Sequence, residues 1–104
     1  MLNVGLDKKV LDKIVNIIVS QKDVDKIVIF GSRARGDFSR SSDIDIAIFS
    51  RNWTYKDINL VRNALDEEVR TPLKFDVVHF YDLEKQALKD EIVKDGIVIY
   101  DKES

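Results

Sequence analysis

The chain has 104 residues, 44% of them hydrophobic and 35% charged, with 17 Lys and Arg set against 19 Asp and Glu. That size fits one domain over residues 1–104, and a formal net charge of -2 argues against direct nucleic-acid binding, which favours a strongly basic face. With no cysteine, disulfides, a thiolate nucleophile and cysteine-ligated zinc are all excluded.

Leu6, Val10, Leu11, Ile14, Val15, Ile17 and Ile18 recur at helical spacing, so a first helix is expected over residues 7–21 with Asp7 as its N-cap. The charges at Asp7, Lys8, Lys9, Asp12 and Lys13 also interrupt any signal-peptide core. No apolar run reaches the length of a membrane span, so the expectation is a soluble, cytoplasmic protein with no membrane partner. Lys26-Ile27-Val28-Ile29-Phe30 reads as a short buried strand stopped by Gly31. Residues 32–42 read as a turn holding about one turn of helix, and Asp43–Phe49 as a second strand.

Thr54 followed three residues later by Asp57 resembles an N-terminal capping pattern. Ile58, Val61, Leu65 and Val69 then line one helical face up to Arg70, before Pro72. Lys74–Phe80 is a third strand, Asp82 a candidate cap for a last helix, and Ile97–Tyr100 a short edge strand. The short link between the first two strands favours an antiparallel pair. The helical crossover to the third favours a parallel one. The expected fold class is therefore α+β, a small mixed sheet flanked by helices.

This order carries a chemical consequence. The first strand ends at Gly31-Ser32 and the second begins at Asp43 and Asp45, so an antiparallel pairing brings those ends together. Asp43 and Asp45 alternate onto one face. Two carboxylates about 4 Å apart repel by roughly 4 kcal/mol at an effective dielectric of about 20, a cost that a divalent cation removes. Hard oxygen ligands suit Mg2+ or Mn2+ together with substrate phosphates. Asp76 interrupts the apolar run Phe75-Asp76-Val77-Val78. It is an edge residue facing water, a third metal ligand or a base for an acceptor hydroxyl. Gly31 permits close backbone approach to phosphate, Ser32 offers a hydroxyl, and Arg33 and Arg35 are candidates to neutralise a triphosphate. There is no Gly-Lys-Ser/Thr ending, so this is not a P-loop.

Gly31-Ser32-x-Ala34-Arg35-Gly36-x5-Ser42-Asp43-x-Asp45 resembles the signature of the minimal nucleotidyltransferases of the DNA polymerase β-like superfamily. Asp76 corresponds to that family's third carboxylate. The resemblance implies a nucleotidyltransferase fold in which Gly31 and Ser32 hold the triphosphate of ATP. It also implies two Mg2+ ions on Asp43 and Asp45, with Asp76 completing one metal site. Members of this family commonly accompany an all-helical HEPN toxin, and transfer AMP to one of its tyrosines as the antitoxin. That transfer is the leading expectation. Neutralisation of the partner by occlusion and transfer to a small molecule are the alternatives.

The remaining residues read as structural. His79 alternates onto the face opposite Asp76. Trp53 is a hydrophobic cover or a stacking surface for a base. Phe30, Phe49, Phe75 and Phe80 are core, Gly36 and Ser42 serve the turn, and Asp66-Glu67-Glu68 is a solvated helical face. Lys26 and Arg40 are weaker candidates for contact with phosphate.

Overall fold

The structure, a computed structural model, describes residues 4–104. The first helix, α1 (Lys8–Gln21), begins where Asp7 accepts a hydrogen bond from the Val10 N–H at 3.0 Å. That bond satisfies one of the four amide donors a helix start leaves unpaired. The helix buries Leu11, Ile14 and Ile18, the i, i+3, i+7 stripe its sequence spells out.

Strands β1 (Lys26–Phe30), β2 (Ile44–Phe49), β3 (Phe75–His79) and β4 (Ile97–Asp101) form one sheet in the order β3-β2-β1-β4. β1 and β2 are antiparallel, with Phe30 opposite Asp45, and β2 and β3 are parallel, with Asp45 opposite Asp76. β4 pairs antiparallel with β1 and is an edge strand, as expected; β3 is the other edge. The central strands are almost unbroken apolar runs because both of their faces are covered. Ile27, Ile29, Ile44, Ile46, Ile48, Phe75 and Val77 share one core with α1 and the third helix. Val28, Phe30, Ala47 and Phe49 share a smaller one with Ile92 of the last helix.

The third helix, α3 (Tyr55–Glu68), opens on a complete capping box. Thr54 accepts from the Asp57 N–H, and Asp57 accepts from the Thr54 N–H at 2.8 Å. That backbone bond, helped by bonds from Gln21, the Thr54 hydroxyl and Lys22, holds the Asp57 carboxyl down at about 2. Thr54→Ala is expected to lower the unfolding free energy by about 1 kcal/mol in urea denaturation, the usual cost of a lost cap. α3 stops at Glu68 rather than Arg70, with Val69 already extended.

Asp82 does not cap the last helix. A 3-10 turn, Phe80–Asp82, stacks the Phe80 ring on Phe49 at 4.2 Å between centroids, and the last helix, α4 (Gln86–Asp95), starts only after Lys85. The Asp82 carboxylate lies 2.8 Å from His79 Nδ1, while Nε2 of the same ring meets the Ser50 carbonyl. His79 is thus a buried structural residue. Trp53 is buried too, its indole N–H donating to the Asp23 carbonyl at 2.8 Å, which makes it a cover. No described helix is long and apolar enough to cross a membrane.

Candidate active site

β1 runs into Gly31, which adopts φ 74°, ψ -152°, a region essentially reserved for glycine. A Cβ on this residue would collide with the Asp45 carboxylate. The turn backbone therefore lies directly against Asp45, across the register that sets Phe30 beside it. A second short helix, α2 (Ser32–Arg35), follows at once. The Ala34 and Arg35 amides both bond the Gly31 carbonyl at 3.1 Å, and Gly36 closes the turn in the left-handed conformation. The first amides of a helical turn have no partner within it, and here the turn begins against the Asp45 carboxylate.

The parallel register places Asp76 next to Asp45 from the other side, and Asp43 precedes β2 by one residue. Asp45 is half-buried, whereas Asp43 and Asp76 are exposed. Burial pushes the Asp45 carboxyl up to about 6; the charges of Asp76, Asp43 and Glu91 push the same way, and Arg35 opposes them. Asp76 is an edge residue facing water and at the same time a neighbour of Asp45 in the register. Among the described residues no three His, Cys, Asp or Glu side chains close around a single point. The carboxylates share one corner of the sheet but stand apart, as like charges do.

The two arginines part company. Arg33 is 1% exposed, and its guanidinium donates to the carbonyls of Val4 (2.9 Å), Ser42 (2.9 and 3.1 Å) and Arg40 (3.3 Å), with the Phe38 ring beneath it. With its donors spent on carbonyls, Arg33 cannot reach a triphosphate; it ties the 37–42 loop to the N-terminal segment. Arg33→Ala is expected to cost about 3 kcal/mol in urea denaturation, because it strands several carbonyls at 1–3 kcal/mol each. Arg35→Ala should cost less than about 1 kcal/mol, since its partners are on the surface. Arg35 is exposed at the site, 3.1 Å from Glu91 and 3.4 Å from Asp37. Ser42 accepts from the Ser39 N–H at 2.9 Å, the turn role expected of it.

Glu91 was invisible in the motif. It comes from α4, which packs across β1 and returns an acidic side chain to the site 46 residues after Asp45. The available signal was the helical spacing that puts Glu91 beside the buried Ile92 and one turn beyond Leu88.

A mixed sheet whose glycine turn lies against paired aspartates, with a third carboxylate on the neighbouring parallel strand, is the architecture of a nucleotidyltransferase. The chain belongs to the family described as polymerase β, nucleotidyltransferase, whose profile matches residues 12–104. Among solved structures it is similar to a chain of a toxin–antitoxin complex with AMP-PNP (TM-score 0.74, 21% identity, covering 88% of this chain and 73% of that one). It is also similar to a chain of the tri-AMPylated Shewanella oneidensis HEPN toxin in complex with MNT antitoxin (TM-score 0.72, 17% identity, 94% and 75%). A nucleotidyltransferase structure from Sulfolobus solfataricus gives a TM-score of 0.59 at 27% identity, covering 92% and 81%. No curated protein matches this chain.

Proposed function

We propose that this chain transfers AMP from ATP to a tyrosine hydroxyl of a partner HEPN toxin, and so acts as its antitoxin. The observation that carries the reading is the register Phe30–Asp45–Asp76, which sets the glycine turn and the third carboxylate on either side of Asp45. The likeness to a complex with AMP-PNP and to one holding an AMPylated HEPN toxin supports the choice of nucleotide and acceptor.

Each residue has a distinct share of the work. Gly31 and Ser32 hold the triphosphate with backbone amides and a hydroxyl, and Arg35 swings from Glu91 toward it. Asp76 orients the acceptor hydroxyl and receives its proton. The acceptor oxygen forms a bond to the α-phosphorus as the bond to the β-phosphate breaks, and pyrophosphate leaves with that electron pair. Asp43, Asp45 and Asp76 fit divalent cations: all are hard oxygen donors, and burial with mutual repulsion has already raised the central one. Bound Mg2+ would supply charge neutralisation and a more acidic acceptor hydroxyl.

The test is incubation of the purified chain with Mg2+, α-phosphate-labelled ATP and the protein encoded beside it. Label on the partner that disappears in Asp45→Ala is the expected result. A stable complex that carries no label with any of the four triphosphates would reject transfer in favour of occlusion.

A further inference from the structure

Arg35, the second arginine of the glycine turn, is already engaged. Its Nη1 donates to Glu91 Oε1 at 3.1 Å and its Nε to Asp37 Oδ2 at 3.4 Å. The two carboxylates are not equal partners. The Asp37 side chain is 64% exposed and that of Glu91 35%, so water screens the first pair more than the second. The Glu91 contact is also the shorter one. Glu91 is therefore the main holder of the guanidinium.

The bridge joins the glycine turn to the last helix. Arg35 ends the single turn of α2, which lies between Gly31 and Gly36, whereas Glu91 belongs to α4. Ile92, next to Glu91, shares the small core with Val28, Phe30, Ala47 and Phe49. Gly96 follows the same helix with its amide on the Ile92 carbonyl at 3.0 Å, and a Cβ there would collide with Val28. This helix is pinned to the sheet, so Glu91 is the fixed end of the bridge and the long Arg35 side chain is the end free to move. Both ends also bear on Asp45: Glu91 adds to the repulsion from Asp76 and Asp43, and Arg35 offsets it.

A guanidinium fork suits a carboxylate and a phosphate alike. A ligand that needs Arg35 while another group holds it loses affinity in proportion to the fraction of molecules in which Arg35 is free. For a partly exposed ion pair that loss is about two- to fivefold.

We infer that Glu91 is a latch on Arg35, holding the guanidinium beside the carboxylates while the site is empty and yielding it to the phosphates of an incoming nucleoside triphosphate. This rests on the nucleotide site proposed above. The exchange is one of ion pairs, with no covalent bond made or broken: phosphate takes the guanidinium, and water takes the Glu91 carboxylate. Glu91 is a positioning residue, acting on the nucleotide through Arg35. Its presence weakens nucleotide binding, and its removal strengthens it.

The test is a double-mutant cycle on binding. The full chain with Mg2+ is titrated calorimetrically with the α,β-methylene analogue of ATP, in which carbon replaces the oxygen of the bond the transfer would break. Glu91→Gln should tighten binding about two- to fivefold. Arg35→Gln should weaken it, and adding Glu91→Gln to that variant should bring no further change. Binding unchanged or weakened by Glu91→Gln alone would overturn the latch. The same gain in the Arg35→Gln background would overturn it too, since Glu91 would then act only as one more negative charge near the ligand. So would a failure of all four forms to bind the analogue. A cycle that holds in a chain whose labelled ATP marks no partner would reject the proposed transfer and leave the latch standing.

Discussion

Asp45→Asn is expected to reduce nucleotidyl transfer on the order of 10³-fold, the scale of losing a central electrostatic group, and yet to make the metal-free protein more stable at neutral pH. The sign follows from linkage. The folded state raises this carboxyl from 3.8 to about 6, so it binds the proton more tightly than the unfolded chain does. The stability of the metal-free protein therefore falls as pH rises from about 4 to about 6, and stays low above that. Discounted for partial exposure, the loss is about 2 kcal/mol. The asparagine side chain has no charge to confine, so the variant's denaturation profile should be flat across this window and lie above wild type at about pH 7.5. The same reasoning makes divalent-cation affinity increase through about pH 6, because the cation competes with that proton. Urea melts at about pH 4, 6 and 7.5, with and without Mg2+, check both halves. A variant that lost stability at the highest of these would mean that Asp45 is structural.

Gly31→Ala should also damage transfer, by a different route. A left-handed φ with ψ near -152° strains any residue bearing a Cβ, at about 1–3 kcal/mol. The added methyl also meets the Asp45 carboxylate itself. Either the turn lifts or Asp45 rotates, and a displacement near 1 Å at such a centre costs about 10²-fold. Gly36→Ala is the control for backbone strain. Gly36 also has a positive φ, at 89°, but nothing lies within 4 Å of where its Cβ would be. Its substitution should lower thermal stability and spare more of the transfer rate. Equal losses at the two glycines would show that strain alone matters, and that closeness to Asp45 does not.

What the sequence made legible was whatever depends on local pattern. The unbroken Ile and Val runs marked the strands, and crossover lengths set their directions. Asp7 and Thr54 marked two helix starts, because a cap needs only residues three positions apart. Alternation alone set His79 away from Asp76. Residues whose roles depend on distant chain returns were misread or missed. Arg33 sits in a motif suggestive of phosphate, but the Val4 carbonyl, 29 residues away, and the loop at 40–42 claim its donors. Asp82 had the chemistry of a cap, but the Phe80–Phe49 stack holds a 3-10 turn in place and delays the helix. Glu91 belongs to the electrostatics of Asp45 only because α4 folds back across β1.

The outermost position of β3 has a consequence for when the chemistry runs. Asp76 stands exposed on the last strand of its side, so the centre has a floor and one wall. The missing wall has to arrive with the substrate. A hydroxyl mounted on a folded surface would bring its own apolar surroundings and dry the carboxylates as it docks. A lone water molecule brings no such help. On the transfer proposed above, docking of the acceptor would complete the catalyst, and between encounters the nucleotide would stay unspent.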